Sequence, residues 1–316
     1  MKFRTEIEIP ENKNKITYND AILSMGSCFA ENIAQYLKSL QLDMVSNPYG
    51  ILFNPVSIYN SIHEMISGKI YGDDDIMLFN DKWLSLNHHG SFSNKDKNIC
   101  LENINNHILE GSAYLKKSRF LFITLGTSIV YVYEQFDKVV GNCHKIPQKF
   151  FNRLQLSLNQ TITCLQNIIN EVRNVNETID IVFTVSPIRH IKDGLHENTI
   201  SKATLLLAID EMVKHNDNVS YFPAYEILID DLRDYRFYDE DMLHPNPTAV
   251  NYVLAMFKNC FVDKTCFPVM DIAEKLYKAK QHRIDNKDNT IEMQKFQDHI
   301  ATLEQELRTK LYDLRK

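Results

Sequence analysis

The stretch SMGSCFAENIAQYL, from Ser24 to Leu37, holds the change from strand to helix on which the predicted fold depends. It follows a short apolar run, and Gly26 then permits a tight turn. Beyond the turn, Ile33 and Leu37 are spaced by about one helical turn. The stretch therefore predicts a strand, a turn and a helix, with a serine and a cysteine at the turn.

The same alternation of apolar runs and helical periodicity continues along the chain. Strands are predicted at residues 119–126, 179–187 and 219–227, and the first two are apolar enough to be covered on both faces. Helices are predicted at residues 150–172, 201–215 and 247–257. Strands that alternate with helices predict a parallel sheet in a three-layer α/β/α domain.

Two regions depart from this alternation. Residues 68–97 are polar and rich in turn residues, contain the only tryptophan, Trp83, and read as an insertion or lid in a catalytic domain of residues 1–268. Residues 269–316 form a charged helical segment, in which apolar residues from Met293 to Leu314 recur every three or four positions. That stripe favours a helix or hairpin packed on its own domain over an intermolecular coiled coil, which would make the chain a homo-oligomer.

Composition limits the classes of function. The chain has 316 residues, 44% of them hydrophobic, and a net charge of −6, which fits a globular protein without general attraction to nucleic acid or membranes. No secretory signal or span of roughly 18 apolar residues is present, so we expect a cytoplasmic protein. The six cysteines are scattered, which favours neither a disulfide framework nor a cysteine zinc site. The sequence predicts neither a metal nor an organic cofactor.

In parallel α/β sheets, ligand-binding and catalytic residues usually lie at the carboxyl ends of the strands. Ser27 follows the first predicted strand, and Asp241 and His244 lie three residues apart late in the chain. A serine, a histidine and a carboxylate are the groups of acyl transfer, with Ser27 attacking, His244 taking its proton and Asp241 fixing the imidazole tautomer. Ser27 alone is more typical of a helix N-cap, although Ala30, three residues on, gives no capping box. Cys28 is expected to be a buried packing residue.

A series of short motifs along the chain resembles the motifs of a known protein family. The runs GSCFAENIAQYL, NPYGILFNP, ITLGTSIVYVY, VVGNCHKIP, SPIRH, SKATLLLA and DMLHPN lie between residues 16 and 261. In this order they resemble the GSCFA family, a branch of the SGNH (GDSL-type) hydrolases. The resemblance implies a flavodoxin-like α/β/α fold, to which residues 269–316 add a C-terminal helical extension. It also implies a serine hydrolase site with Ser27 as nucleophile, Gly50 as backbone oxyanion donor, and Asp241 and His244 as acid and base.

The chain departs from the wider superfamily at the third motif. That motif carries an asparagine in the superfamily, whereas residues 126–129 here read GTSI. A neutral donor must replace it, and we favour Asn142 over the alternatives. Those alternatives are Asn54 and the hydroxyls of Thr127 and Ser128, while His144, next to Asn142, is expected either to line the pocket or to lie in an ordinary loop.

The spacing of the other polar residues predicts no catalytic or metal-binding role. The adjacent pair His88 and His89 is a poor metal site, since neighbouring residues face different ways, and a lid contacting substrate or a plain surface is the better interpretation. Either structural roles or roles in supporting the residues of the site are expected for Arg189, His190, His196 and Lys202.

The sequence thus predicts a serine-dependent hydrolase of an oxygen ester, an O-acyl or O-acetyl group on a small molecule or carbohydrate, through a covalent acyl-enzyme. Two alternatives stay open. One is an acyltransferase with the same site, and the other is a catalytically idle binding module that uses the pocket and the C-terminal helices.

Overall fold

The computed structural model describes residues 4–192, 194–281 and 290–315. Its strands are β1 (Ala21–Gly26), β2 (Asp43–Ser46), β3 (Met77–Phe79), β4 (Lys82–Leu84), β5 (Phe120–Leu125), β6 (Ile129–Tyr133), β7 (Lys138–Val140), β8 (Phe151–Gln155), β9 (Asp180–Val185) and β10 (Val219–Tyr221). Its helices are α1 (Cys28–Ser39), α2 (Pro55–Ser67), α3 (Lys97–Lys117), α4 (Leu158–Val175), α5 (Leu195–His215), α6 (Ala224–Glu226), α7 (Pro247–Phe261), α8 (Phe267–Gln281) and α9 (Thr290–Leu314).

A parallel sheet of five strands in the order β10-β9-β5-β1-β2 forms the centre of the protein. Successive side chains of a strand point to opposite faces. In β5, Phe120 and Phe122 therefore enter one core, with α1, α7, α8 and α9. Leu121 and Ile123 enter the other core, with α2, α3, α4 and α5. The predicted three-layer α/β/α architecture is confirmed.

The strand order places a crevice beside β1. The chain passes from β1 to β2 on one side and later returns to β5 on the other, so β1 is the point at which the order reverses. Ligands of open α/β sheets bind outside the carboxyl ends of the strands at such a point. Gly26 ends β1 with φ of +135°, and a Cβ atom there would lie 2.2 Å from the Thr124 carbonyl oxygen. The turn that presents Ser27 thus requires glycine.

The prediction of one helix over residues 150–172 is wrong at its amino end. Phe151–Gln155 is β8, which pairs antiparallel with β6 in a three-stranded sheet with β7. The helix α4 begins after Ser157, whose hydroxyl accepts from the Gln160 N–H while the Gln160 side chain accepts from the Ser157 N–H. This capping box fixes the helix start, and pairing with β6 decides the conformation before it.

The predicted insertion contains the hairpin of β3 and β4 and one buried histidine. His88 is fully buried and stacks on Tyr49 with ring centroids 4.3 Å apart. Its Nδ1 lies 3.0 Å from Ser85 Oγ, and burial lowers the pKa of His88 to about 3. The surface or substrate-contacting interpretation is therefore wrong for His88, because its neutral ring packs in the core.

The C-terminal helices pack on the chain itself. Leu303 and Leu307 of α9 are buried in the same core as Phe120, and Lys280 of α8 pairs with Glu304 at 2.7 Å. The proposed division after residue 268 falls in the first turn of α8. In the part of the chain that the structure describes, no helix combines the length and the apolar character that crossing a membrane requires.

Candidate active site

Ser27 lies between β1 and α1 and is only 2% exposed. Its Oγ accepts from the Phe29 N–H at 3.3 Å, so the residue is the N-cap of α1 although the sequence has no capping box. Its own N–H donates to the Thr124 carbonyl oxygen at 3.1 Å. Both groups are thus engaged in holding the strand-to-helix turn in this conformation.

Asp241 and His244 form a tightly bonded pair. Asp241 Oδ2 lies 2.5 Å from His244 Nδ1, while Oδ1 accepts from the N–H groups of His244 and Leu243 at 2.9 Å each. These backbone bonds, together with the imidazole, lower the pKa of Asp241 to about 2. An ionised Asp241 holds a proton on His244 Nδ1, which leaves Nε2 as the atom that can accept the proton of a nucleophile.

The turn that carries this pair faces the loop after β9. A bridge between Tyr238 and Pro245 closes the turn. Burial raises the pKa of Tyr238, and the nearby guanidinium of Arg189 opposes that shift. Arg189 also acts on Lys202, which in turn acts on Cys28 at the start of α1. The start of α1 and the loops after β5 and β9 lie at one edge, because the Ser27 N–H bonds to Thr124 and Lys202 bonds to both Gly126 and Ser186. No hydrogen bond joins Ser27 to His244 among the described residues.

A cavity of about 290 Å³ opens next to this edge. Its wall includes Thr127, which lies three residues after Thr124, the residue whose carbonyl oxygen accepts the Ser27 N–H. Ser27, Asp241 and His244 are not among the residues that line it. The lining combines apolar, amide and basic side chains: Phe53, Asn54, Thr127, Ile129, Tyr131, Val140, Gly141, Asn142, Cys143, His190 and Lys192.

Asn142 is the amide in this cavity that can still donate. Its Oδ1 accepts from the His144 N–H at 2.8 Å, which fixes the side chain and leaves Nδ2 without a hydrogen-bond partner among the described residues. Asn54, in contrast, caps α2: its Oδ1 accepts from the Ser57 N–H at 2.8 Å and its Nδ2 donates to Ser57 Oγ at 3.0 Å. Of the two predicted amides, Asn142 keeps both Nδ2 protons for an oxyanion, whereas Asn54 already uses one of its two in capping α2.

The predicted hydroxyl donors and His144 are used within the fold. The hydroxyls of Thr127 and Ser128 lie 2.9 and 3.2 Å from Ser201 Oγ, and Ser128 is fully buried. His144 Nε2 donates to the Ser85 carbonyl oxygen at 2.8 Å, and His144 does not line the cavity. Ser128 and His144 therefore have structural positions, whereas Thr127 contributes to the wall.

Gly50 does not offer the predicted oxyanion donor in this conformation. Its N–H donates to the Asn47 carbonyl oxygen at 2.7 Å, closing the turn of residues 47–50. Its φ is +74°, and a Cβ atom would lie 2.3 Å from Cβ of His89. The glycine is thus required by the turn and by the close approach of His89. The turn uses its N–H in this conformation, so its role as oxyanion donor stays a prediction.

Cys28 is the half-buried neighbour of Ser27. Burial raises the pKa of its thiol, an effect that its own N–H, the Phe29 N–H and Lys202 only partly oppose. The thiol is therefore held in its weakly nucleophilic protonated form. The Cys28 N–H, the first of α1, has no backbone acceptor in the described part of the chain, so it can donate to a negative group at the helix start.

Sequence reasoning overlooked the part that α5 plays in this edge. Ser201 Oγ accepts from the Ser128 N–H at 2.8 Å, and Lys202 Nζ donates to the carbonyl oxygens of Gly126 and Ser186 at 2.6 and 2.7 Å. The available signal was the polar pair Ser201 and Lys202 at helical spacing before the apolar residues Leu205 and Ile209. Those two residues hold the loops that follow β5 and β9.

Comparisons with known proteins give one sequence match and several structural ones. A model of the GSCFA family matches residues 21–257. No curated protein sequence matches significantly. Solved structures similar to this chain include a family 3 carbohydrate esterase from Clostridium thermocellum, with 10% identity over 82% of this chain and 98% of that one, at a TM-score of 0.35. Another is an acetyl xylan esterase from the rumen bacterium Butyrivibrio proteoclasticus, with 12% identity over 78% of this chain and 66% of that one, at a TM-score of 0.38.

Proposed function

Because this chain belongs to the GSCFA family, a branch of the SGNH hydrolases, we propose that it is a serine-dependent hydrolase of an oxygen ester. Ser27 is the nucleophile, His244 the base and Asp241 the group that orients it. The observation that supports the proposal is the 2.5 Å contact of the ionised Asp241 with His244 Nδ1.

The proposed reaction proceeds through an acyl-enzyme. Ser27 Oγ attacks the acyl carbon while His244 Nε2 takes the hydroxyl proton, and His244 then protonates the leaving alcohol. Water, activated in the same way, attacks the acyl-enzyme and releases the acid. A second alcohol in place of water would make the same site an acyltransferase.

Ser27 must leave its capping position to react. The bond from the Phe29 N–H is 3.3 Å, beyond the usual range for N–H···O contacts, so giving it up costs little. His244 is 48% exposed in its side chain and lies on a turn, so rotation of the side chain or closure of the turn must bring Nε2 to Ser27. The apo geometry of catalytic hydrogen bonds is often loose in this way.

Three groups are suited to stabilise the tetrahedral oxyanion. The Asn142 Nδ2 has no hydrogen-bond partner, and the Cys28 N–H has no backbone acceptor, among the described residues. The dipole of α1 adds positive potential at its amino end. In this conformation the set takes the place of the Gly50 N–H that the family resemblance implied.

The cavity supports a compact acyl group rather than a long chain. Its volume is about 290 Å³, and its wall combines Phe53 and Ile129 with Asn142 and Lys192. We propose an O-acyl or O-acetyl ester of a small molecule or carbohydrate as the substrate, in the cytoplasm and without a metal, organic cofactor, nucleic acid or membrane as partner. The net charge of −6 supports the absence of a nucleic-acid partner.

Hydrolysis of p-nitrophenyl acetate tests the proposal. Replacing His244→Gln should lower kcat by about three powers of ten or more, as for loss of a triad member. The matched control is His215→Gln, on the exposed end of α5, which should keep the wild-type rate. Equal rates for His244→Gln and the wild type would contradict the proposed mechanism.

A further inference from the structure

Lys202 is a buried cation at the carboxyl edge of the sheet. It is 1% exposed, a rare position for lysine. Its ammonium donates to the Gly126 carbonyl oxygen at 2.6 Å and the Ser186 carbonyl oxygen at 2.7 Å, directly after β5 and β9. An ammonium has three protons to donate, and the third has no acceptor among the described residues.

Among the described residues, no carboxylate is a main influence on the charge of Lys202. The titratable groups that act on it are the Cys28 thiol, from α1, and the Arg189 guanidinium, from the loop after β9. Because burial raises the pKa of Cys28, the thiol supplies no negative charge at neutral pH. Burial of an uncompensated cation is costly, and it lowers the pKa of Lys202 to about 7.

Lys202 connects the loops after β5 and β9 with the start of α1. Through Gly126 it holds the loop that carries Thr127, and through Ser186 it holds the loop that carries His190, and both of these residues line the cavity. The Gly126 carbonyl that it holds lies two residues after Thr124, whose carbonyl oxygen accepts the Ser27 N–H, so Lys202 lies near the start of α1, where Ser27 would carry the oxyanion. A negative charge formed there would be attracted to this ammonium, which has two carbonyl acceptors and no carboxylate partner among the described residues.

We propose that Lys202 is a positioning residue that holds the loops after β5 and β9 against the start of α1 and supplies the positive charge that favours the oxyanion formed at Ser27. This inference rests on the proposed function, since the oxyanion forms only if Ser27 reacts. A purely structural lysine would hold the same loops without making the reaction depend on its charge.

The pH dependence of serine labelling separates the two roles. The second-order rate constant for labelling by a fluorophosphonate is measured between pH 5.5 and 9.5 on the full chain, for the wild type, Lys202→Met and Lys214→Met. The last is the matched control, because Lys214 lies on the same helix and its side chain is 58% exposed. The contribution of His244 is the same in all three proteins and cancels in the ratio of rates.

We expect the wild type to label at least about tenfold faster than Lys202→Met at pH 6, where Lys202 is charged. The ratio should shrink toward about twofold at pH 9, where the wild-type lysine is neutral as well. Lys214→Met should follow the wild type throughout. If Lys202→Met does not fold, Lys202→Gln, which keeps a donor for one carbonyl, must show the same decline.

The possible failures are distinguishable. A rate ratio that stays constant across this pH range, or equal rates for wild type and Lys202→Met, would overturn the role of the charge while leaving the serine mechanism intact. A wild-type protein that does not label at Ser27 would overturn the proposed function, and this inference with it.

Discussion

Replacing Gly26→Ala tests whether the turn after β1 is dictated by backbone geometry. The new Cβ would lie 2.2 Å from the Thr124 carbonyl oxygen, and the residue would have to keep a φ of +135°. Strained backbone costs about 1–3 kcal/mol and overpacking a further 1–3 kcal/mol, so we expect a loss of roughly 2–6 kcal/mol. That is a large part of the roughly 5–15 kcal/mol that stabilises a typical domain.

The matched control is Gly68→Ala at the end of α2. Gly68 also has positive φ, +68°, but a Cβ atom there meets nothing within 4 Å. Its loss should be limited to the left-handed strain of about 1–2 kcal/mol. Urea unfolding followed by circular dichroism measures both variants. A Gly26→Ala protein no less stable than Gly68→Ala would refute the reasoning that this turn requires glycine.

Three further perturbations address the oxyanion, the C-terminal helices and the buried lysine. Asn142→Ala should lower kcat on an ester by about 10²–10³ with little change in KM, and an unaltered kcat would remove Asn142 from the oxyanion site. Asn54→Ala should instead cost about 1 kcal/mol of stability, because it removes the N-cap of α2, and leave kcat unchanged. Leu307→Ala, buried in the interface of α9, should cost about 2–5 kcal/mol in urea unfolding, and a neutral result would contradict the intramolecular packing of that helix. The folded-state pKa of Lys202 is about 7 and its ordinary value 10.5, so between these pH values the unfolded chain binds more protons than the folded one. The free energy of unfolding of the wild type should therefore rise with pH relative to that of Lys202→Met. A constant difference between the two free energies would contradict the uncompensated burial.

The central layer of the fold follows from the sequence because its strands are covered on both faces. Runs such as RFLFITLG are apolar on every residue that enters a core, and the structure places β5 there with two helix layers around it. The start of α7 was equally visible, since Asn246 and Pro247 are residues typical of an N-cap and first turn. Such local signals agree with the tertiary structure, which is why they succeed.

The antiparallel sheet of β6, β7 and β8 was not predicted. Its strand β8, FNRLQ, is mostly exposed and has no apolar periodicity, so only its pairing with β6 makes it a strand. His88 was also misjudged, because stacking on Tyr49 depends on contacts between distant segments. Spacing in sequence carries no information on such partners.

The candidate site was predicted unevenly for the same reason. The pairing of Asp241 with His244 is local, three residues apart, and the structure has it at 2.5 Å. The hydrogen bond of the Gly50 N–H and those of Lys202 to Gly126 and Ser186 depend on which acceptors the fold brings near. The role of Ser27 in catalysis stays a prediction, since its Oγ caps α1 in this conformation.

Mapping the adduct of a fluorophosphonate by mass spectrometry tests the central claim most directly. The wild type should carry one phosphonyl group on Ser27, Cys28→Ala should label normally, and Ser27→Ala should not label. A wild-type protein that is folded but unlabelled, or a label that persists in Ser27→Ala and disappears in Cys28→Ala, would contradict the serine mechanism.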